Sequence, residues 1–130
     1  SDHFSVLVGS VENTKKQPLG IQRYIIHPDF DMASSKNDIA LVELKVALRF
    51  DESIQPATMA TELPAGDKNI TTIGFGQTES HRQSSVLLKA DLPLATKEFC
   101  GAAISDFDTT RFCTRPTPGV APCFGDSGSP

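Results

Sequence analysis

Apolar residues along this chain gather in short runs, each closed by turn-forming residues. Ser-Val-Leu-Val at 5–8 stops at Gly9, I-Q-R-Y-I-I at 21–26 stops at His27-Pro28, and I-A-L-V-E-L at 39–44 gives way to a mixed stretch. Further on, I-T-T-I at 70–73 ends at Gly74-Phe75-Gly76, and V-L-L-K-A-D-L at 86–92 ends at Pro93. Runs of this length, often β-branched and bounded by Gly, Pro, Asn or Asp, predict β-strands. One segment reads as helical. Thr96 is placed to cap a helix over 97–104, with Phe99, Ala103 and Ala102 facing inward and Gly101 weakening it. Many short strands with one short helix predict an all-β sandwich or barrel. The stretch 51–67, holding Pro56, Pro64 and Gly66, reads as a linker, so the expected organisation is one strand-rich part over 1–54 and a second over 55–130.

Composition narrows the function classes. The 130 residues are 38% hydrophobic and 22% charged, which fits a globular chain rather than a disordered one. No apolar run approaches the ~18 residues of a membrane helix, so no membrane partner is expected. Ser1 is not followed by a basic start and apolar core, so no signal peptide is read there and the chain is expected to be mature, processed or cut. The net charge is -4, and the 12 basic residues are scattered, with Lys15-Lys16 the one adjacent pair. That distribution offers no stripe to track phosphates, and nucleic acid is not an expected partner.

The cysteine count of three is odd. Cys100 and Cys113 are near enough in sequence to close a small loop, and such a bridge would contribute ~3 kcal/mol in an oxidising compartment. Cys123 is then left over, either a free thiol or half of a bridge. No C-x-x-C spacing occurs, which argues against zinc. Asn69-Ile70-Thr71 is a glycosylation sequon, as in a secreted protein.

The chemistry concentrates in C-F-G-D-S-G-S-P at 123–130. Glycines on both sides of Ser127 allow a sharp turn and a close approach by a substrate carbonyl. The N–H groups of Gly125 and Ser127 can then converge as an oxyanion hole. A plain surface turn uses the same residue types. A nucleophilic serine needs a base, and the base needs a carboxylate to orient it. Asp38, in N-D-I-A-L ahead of an apolar strand, is the candidate, with its side chain expected to be partly buried; it would otherwise merely start the strand.

The interval from Asp38 to Ser127 is about 90 residues, as between the last two members of the chymotrypsin-type order His, Asp, Ser. Together with I-I-H-P-D-F at 25–30 and G-F-G at 74–76, these motifs resemble the trypsin/chymotrypsin family of serine proteases, over essentially the whole chain. The resemblance implies a trypsin-like double β-barrel, incomplete here, with the later part of one barrel and the earlier part of the next. It implies a serine endopeptidase acting on protein or peptide substrates and open to protein protease inhibitors, secreted and made as a zymogen, with no cofactor. Ser127 is the implied nucleophile, Asp38 the orienting acid, and Gly125 and Ser127 the oxyanion donors. Asp126 looks like the activation aspartate that pairs with a new terminal amine, and without that amine the turn around it is expected to lose its order.

Ala121, Pro122 and Phe124 fall where the family builds its substrate pocket. Ala121 stands in place of the aspartate of trypsin-like members, which implies a preference for apolar or small residues at the cleaved position. Cys100 and Cys113 look like the family's loop disulfide, and Cys123 like a cysteine whose partner follows the nucleophile. The family's histidine is expected ahead of Ser1, since His3, His27 and His81 do not fit its place. Val11 to Leu19 lies where some members carry a calcium loop, but Glu12 is its one acidic residue, so no metal is expected. A catalytically inactive homologue that serves as a secreted binding or scaffold module is the alternative. Phe75 for the usual tryptophan and Ser129 for a second glycine are departures from the family pattern.

Overall fold

The computed structural model describes residues 6–13, 18–64 and 68–130. His3, Phe4, Ser5, Lys15, Lys16, Gly66 and Asp67 therefore lie outside the described residues. The elements run β1 (Ile21–Ile26), β2 (Ala40–Leu44), β3 (Asn69–Gly74), β4 (Leu88–Pro93) and α1 (Lys97–Ala103). They form two antiparallel pairs, β1 with β2 and β3 with β4. Neither pair closes a barrel among the described residues, which form a mostly β fold of two separate hairpins and one short helix.

The β1–β2 ladder pairs Tyr24 with Val42 and Ile26 with Ala40, with an irregularity between Ile21 and Arg23. Two backbone bonds continue it at either end, Lys45 N–H to the Gly20 carbonyl (2.9 Å) and His27 N–H to the Ile39 carbonyl (3.1 Å). The second bond fixes the chain one residue after Asp38. The β3–β4 ladder is regular from Asn69 opposite Pro93 to Gly74 opposite Leu88. The far side of β3 receives the end of the chain, where the Pro130 carbonyl accepts the Ile73 N–H (3.0 Å) and the Thr72 hydroxyl (3.0 Å). That seating carries the nucleophile loop along β3.

Thr96 caps α1 as its spacing predicts, its hydroxyl accepting the Phe99 N–H. The inward face differs from the expected one. Cys100 is the buried residue of α1, while Phe99, Ala102 and Ala103 are exposed. The cause is covalent, because the Cys100–Cys113 disulfide draws that side of the helix toward the chain that follows it. Phe99 instead lies under the Arg115 guanidinium, 5.2 Å from the ring centre. The expected strand at 5–8 reduces, among the described residues, to a single bridge between Val6 and Leu19.

The segments ahead of β1 and ahead of β4 are joined through backbone. Leu87 N–H donates to the Val11 carbonyl (2.7 Å) and Asn13 N–H to the Ser85 carbonyl (3.1 Å). Among the described residues the buried hydrophobics are Ile21, Leu92 and Cys100.

Candidate active site

The loop 123–129 consists of two successive turns. Asp126 N–H donates to the Cys123 carbonyl (3.0 Å), and Ser129 N–H donates to the Asp126 carbonyl (2.9 Å). The third residue of each turn is a glycine at positive φ, Gly125 at 95° and Gly128 at 81°. Side chains other than glycine are disfavoured there, so the motif's glycines are needed by its backbone. Ser129 does not share that conformation, which explains why serine is tolerated in place of a second glycine. Ser127 lies between the glycines, exposed. The N–H groups of Gly125 and Ser127 have no hydrogen-bond acceptor among the described residues, which leaves both available to an incoming oxyanion.

Asp126 anchors this loop. Its Oδ1 accepts the Gly76 N–H (2.8 Å) and its Oδ2 accepts the Cys123 N–H (3.0 Å). The expected loss of order in the turn is therefore corrected. Two backbone donors carry the half-buried carboxylate, and the loop keeps its turns by them. A further bond from Gln77 N–H to the Phe124 carbonyl (2.8 Å) ties the loop to the segment after β3. The seat depends on Gly74 and Gly76, because a Cβ on either would overlap the Asp126 carboxyl oxygens. The sequence marked G-F-G as part of a resemblance without assigning it this contact. The readable signal was a pair of glycines alternating at a strand end, which often marks a close backbone approach.

Beside Asp126 opens a cleft of about 620 Å³, walled by Gly74, Gly76, Leu88, Ala90, Val120 and Ala121. Pro122 and Cys123 also line it, whereas Phe124 does not and is 80% exposed. The three expected pocket residues are thus divided, two at the cleft and one turned to solvent. Cys123 is free and exposed.

Asp38 sits on the other strand pair, just ahead of β2. The Ile39 N–H donates to the Asn37 carbonyl (2.8 Å), which makes Asp38 the central residue of a tight three-residue turn. Its side chain is exposed rather than partly buried. The reason is that β1 and β2 form a two-stranded sheet, with no further described layer over the strand start. Asn37 precedes it at φ 53°, a left-handed conformation that asparagine tolerates. The Asn37 side-chain amide donates to the Asp29 carbonyl (2.9 Å).

Neither described histidine is hydrogen-bonded to Ser127 or Asp38 among the described residues. His27 Nδ1 accepts the Asp29 N–H (3.1 Å) within its own turn, and His81 lies in the 77–83 loop lining the cleft, bonded through its backbone to Thr78. Asn69 is exposed at the first position of β3, and the Thr71 hydroxyl of its sequon donates to Asp91. No cluster of three or more His, Cys, Asp or Glu side chains able to hold a metal ion occurs among the described residues.

Comparison with known proteins places this arrangement. The chain is 30% identical to the trypsin of Phaedon cochleariae over all of its own length and 54% of that protein. It is 30% identical to trypsin-1 of Astacus astacus over 93% of its own length and 53% of the relative. The serine protease grass of Drosophila melanogaster is 31% identical over 86% of the chain and 31% of that relative. The chain thus spans about half the length of the two trypsins it matches. The family model described as Trypsin matches residues 1–130, and the chain belongs to the trypsin family of serine proteases.

Proposed function

We propose that the protein bearing this chain is a secreted serine endopeptidase, in which Ser127 attacks the scissile carbonyl and Asp38 orients the family's histidine base. The Ser127 proton passes to that base, and the tetrahedral oxyanion is received by the N–H groups of Gly125 and Ser127. Collapse returns the proton to the departing amine and leaves an acyl group on Ser127 Oγ, which water then releases. The observation that carries this reading is the nucleophile loop, where both proposed oxyanion donors are unpartnered and Asp126 pins the turn between them. Residues 1–54 and 55–130 would contribute to two successive barrels of the enzyme.

Asp126 is the proposed activation aspartate. Each carboxylate oxygen spends one acceptor site on a backbone N–H and keeps another. The adjoining cleft, of about 620 Å³, has room for a terminal ammonium group. The specificity reading rests on Ala121, an uncharged cleft residue that gives a Lys or Arg side chain no counter-ion. Apolar or small residues at the cleaved position are therefore preferred. Protein inhibitors that present such a residue are plausible partners, and Asn69 is an exposed place for a glycan.

The test is kinetic. In the activated full-length protein, Ser127→Ala should reduce peptide hydrolysis by at least ~10³-fold and abolish labelling by a fluorophosphonate. A substrate panel should give kcat/KM higher for apolar or small residues than for Lys or Arg. Full activity in Ser127→Ala would overturn the nucleophile assignment. A preference for Lys or Arg would overturn the role of Ala121 alone. A correctly processed protein with no hydrolysis and no labelling would establish the inactive, scaffolding reading.

A further inference from the structure

We infer that the turn 108–111 is a positioning clamp for Asp38, gripping the loop 34–37 from the other half of the chain. The inference rests on Asp38 being the orienting acid. Two hydrogen bonds reach that loop directly. Arg111 Nη1 donates to the Ser34 carbonyl (3.2 Å), and the Asn37 N–H donates to the Thr110 hydroxyl (3.4 Å). Asn37 is the residue before Asp38, so the second contact holds the Lys36–Asn37 peptide, one unit ahead of the peptide that leads into Asp38.

Asp108 organises the turn. Its Oδ1 accepts both the Thr110 N–H (2.7 Å) and the Thr110 hydroxyl (2.6 Å). With its proton committed to Asp108, the Thr110 oxygen has its lone pairs free to accept from Asn37. Asp108 Oδ2 lies 3.7 Å from Arg111 Nη2 and 3.9 Å from Lys36 Nζ, so charge on one carboxylate draws both halves together. Hydrogen bonds from Thr110, and then the charges of Arg111 and Lys36, hold the Asp108 carboxyl below its usual range. Arg111 is anchored at its own end by a bond to the Asp106 carbonyl.

The gripped loop needs holding. Ser35 and Asn37 both have positive φ, at 55° and 53°, and serine has little intrinsic preference for that region. On its own side the loop is organised by Asp31, whose carboxylate accepts the Ala33 N–H (3.0 Å) and the Ser34 hydroxyl. On the far side of Asp38, the Ile39 carbonyl is held by His27. Asp38 is therefore fastened behind by β1 and in front by the clamp. A carboxylate that orients an imidazole must keep its direction to within a fraction of an ångström, and catalytic rate is steeply sensitive to such displacement.

The experiment uses the activated full-length protease with a peptide substrate, the active fraction being counted by titration with a fluorophosphonate. Thr110→Val keeps the shape of the side chain and deletes its hydroxyl, whereas Thr110→Ser restores the hydroxyl. The expected result is a fall in kcat per titrated site of about tenfold for Thr110→Val and for Arg111→Ala. KM should stay within about twofold, and Thr110→Ser should recover most of the rate. A purely structural role would lower the titrated fraction or Tm and leave kcat per site untouched. Unchanged kcat in both variants, beside an inactive Asp38→Asn, overturns the clamp and leaves the protease reading standing. Full activity in Asp38→Asn overturns the reading of Asp38 and the clamp with it.

Discussion

An added Cβ on Gly76 would lie 2.2 Å from one Asp126 oxygen, and one on Gly74 would lie 1.9 Å from the other. The carboxylate can relieve these overlaps only by leaving the position in which it accepts the Gly76 and Cys123 N–H groups. Gly76→Ala is therefore expected to push Asp126 off its seat and break the bond to the Gly76 N–H, shifting the Ser127 turn. The labelling rate of full-length protein by a fluorophosphonate should fall at least about tenfold. A labelling rate equal to that of the unsubstituted protein would mean that Asp126 does not position the loop. At this scale the backbone of the loop was legible: the turns at Gly125 and Gly128 could be read from one motif, because a turn's demands on its own residues are local. The clamp on Asp38 was not legible. It joins Ser34 and Asn37 to Thr110 and Arg111, residues far apart in the chain and ordinary in type.

The strands followed from the apolar runs, because a short β-branched run between turn formers has few other conformations open to it. Ile21–Ile26 forms β1 over the span the pattern marks, while 39–44, 70–73 and 86–92 appear as Ala40–Leu44, Asn69–Gly74 and Leu88–Pro93. The shifts at the ends reflect pairing. A ladder stops where its partner stops, as with Gly74 opposite Leu88, and a single strand's pattern does not contain that limit. The helix illustrates the same division. Its cap at Thr96 is local and was readable, but its buried face was set by the disulfide to Cys113. Gly101 lies within α1 with nothing within 4 Å of the position an added Cβ would take. Its φ is not positive. Gly101→Ala should therefore stabilise the protein by ~0.5–1 kcal/mol through reduced backbone entropy in the unfolded state. A rise in the denaturant midpoint at unchanged slope is the expected measurement. A lowered midpoint would argue that α1 is not helical across Gly101.

For the molecule as a whole, the decisive quantity is how little apolar surface these residues bury among themselves. Tyr24, Ile25 and Ile26 on β1 and Leu41 and Val42 on β2 are all substantially exposed, so both faces of that hairpin lack cover from the described residues. Isolated two-stranded sheets are marginal in water, and burial on this scale falls well short of what a domain needs to offset its chain entropy. Among the described residues the two halves are linked by hydrogen bonds and by the Lys36–Asp108 ion pair, which fix geometry more than they stabilise. The loop disulfide constrains only the residues between Cys100 and Cys113. Residues 1–130 expressed alone are therefore expected to bind a hydrophobic dye such as ANS and to unfold over a broad, weakly cooperative range. They should also fail to react with a fluorophosphonate at Ser127, because His27 is engaged in its own turn and no hydrogen bond joins His81 to Ser127 among the described residues. The activated full-length protein should show the opposite on all three counts. Dye binding, the calorimetric transition and covalent labelling, measured on both chains, separate the cases. A sharp transition without dye binding in the 130-residue chain would mean that the exposed β1–β2 faces find cover within it. Covalent labelling of that chain at Ser127 would mean that one of its own groups activates the serine.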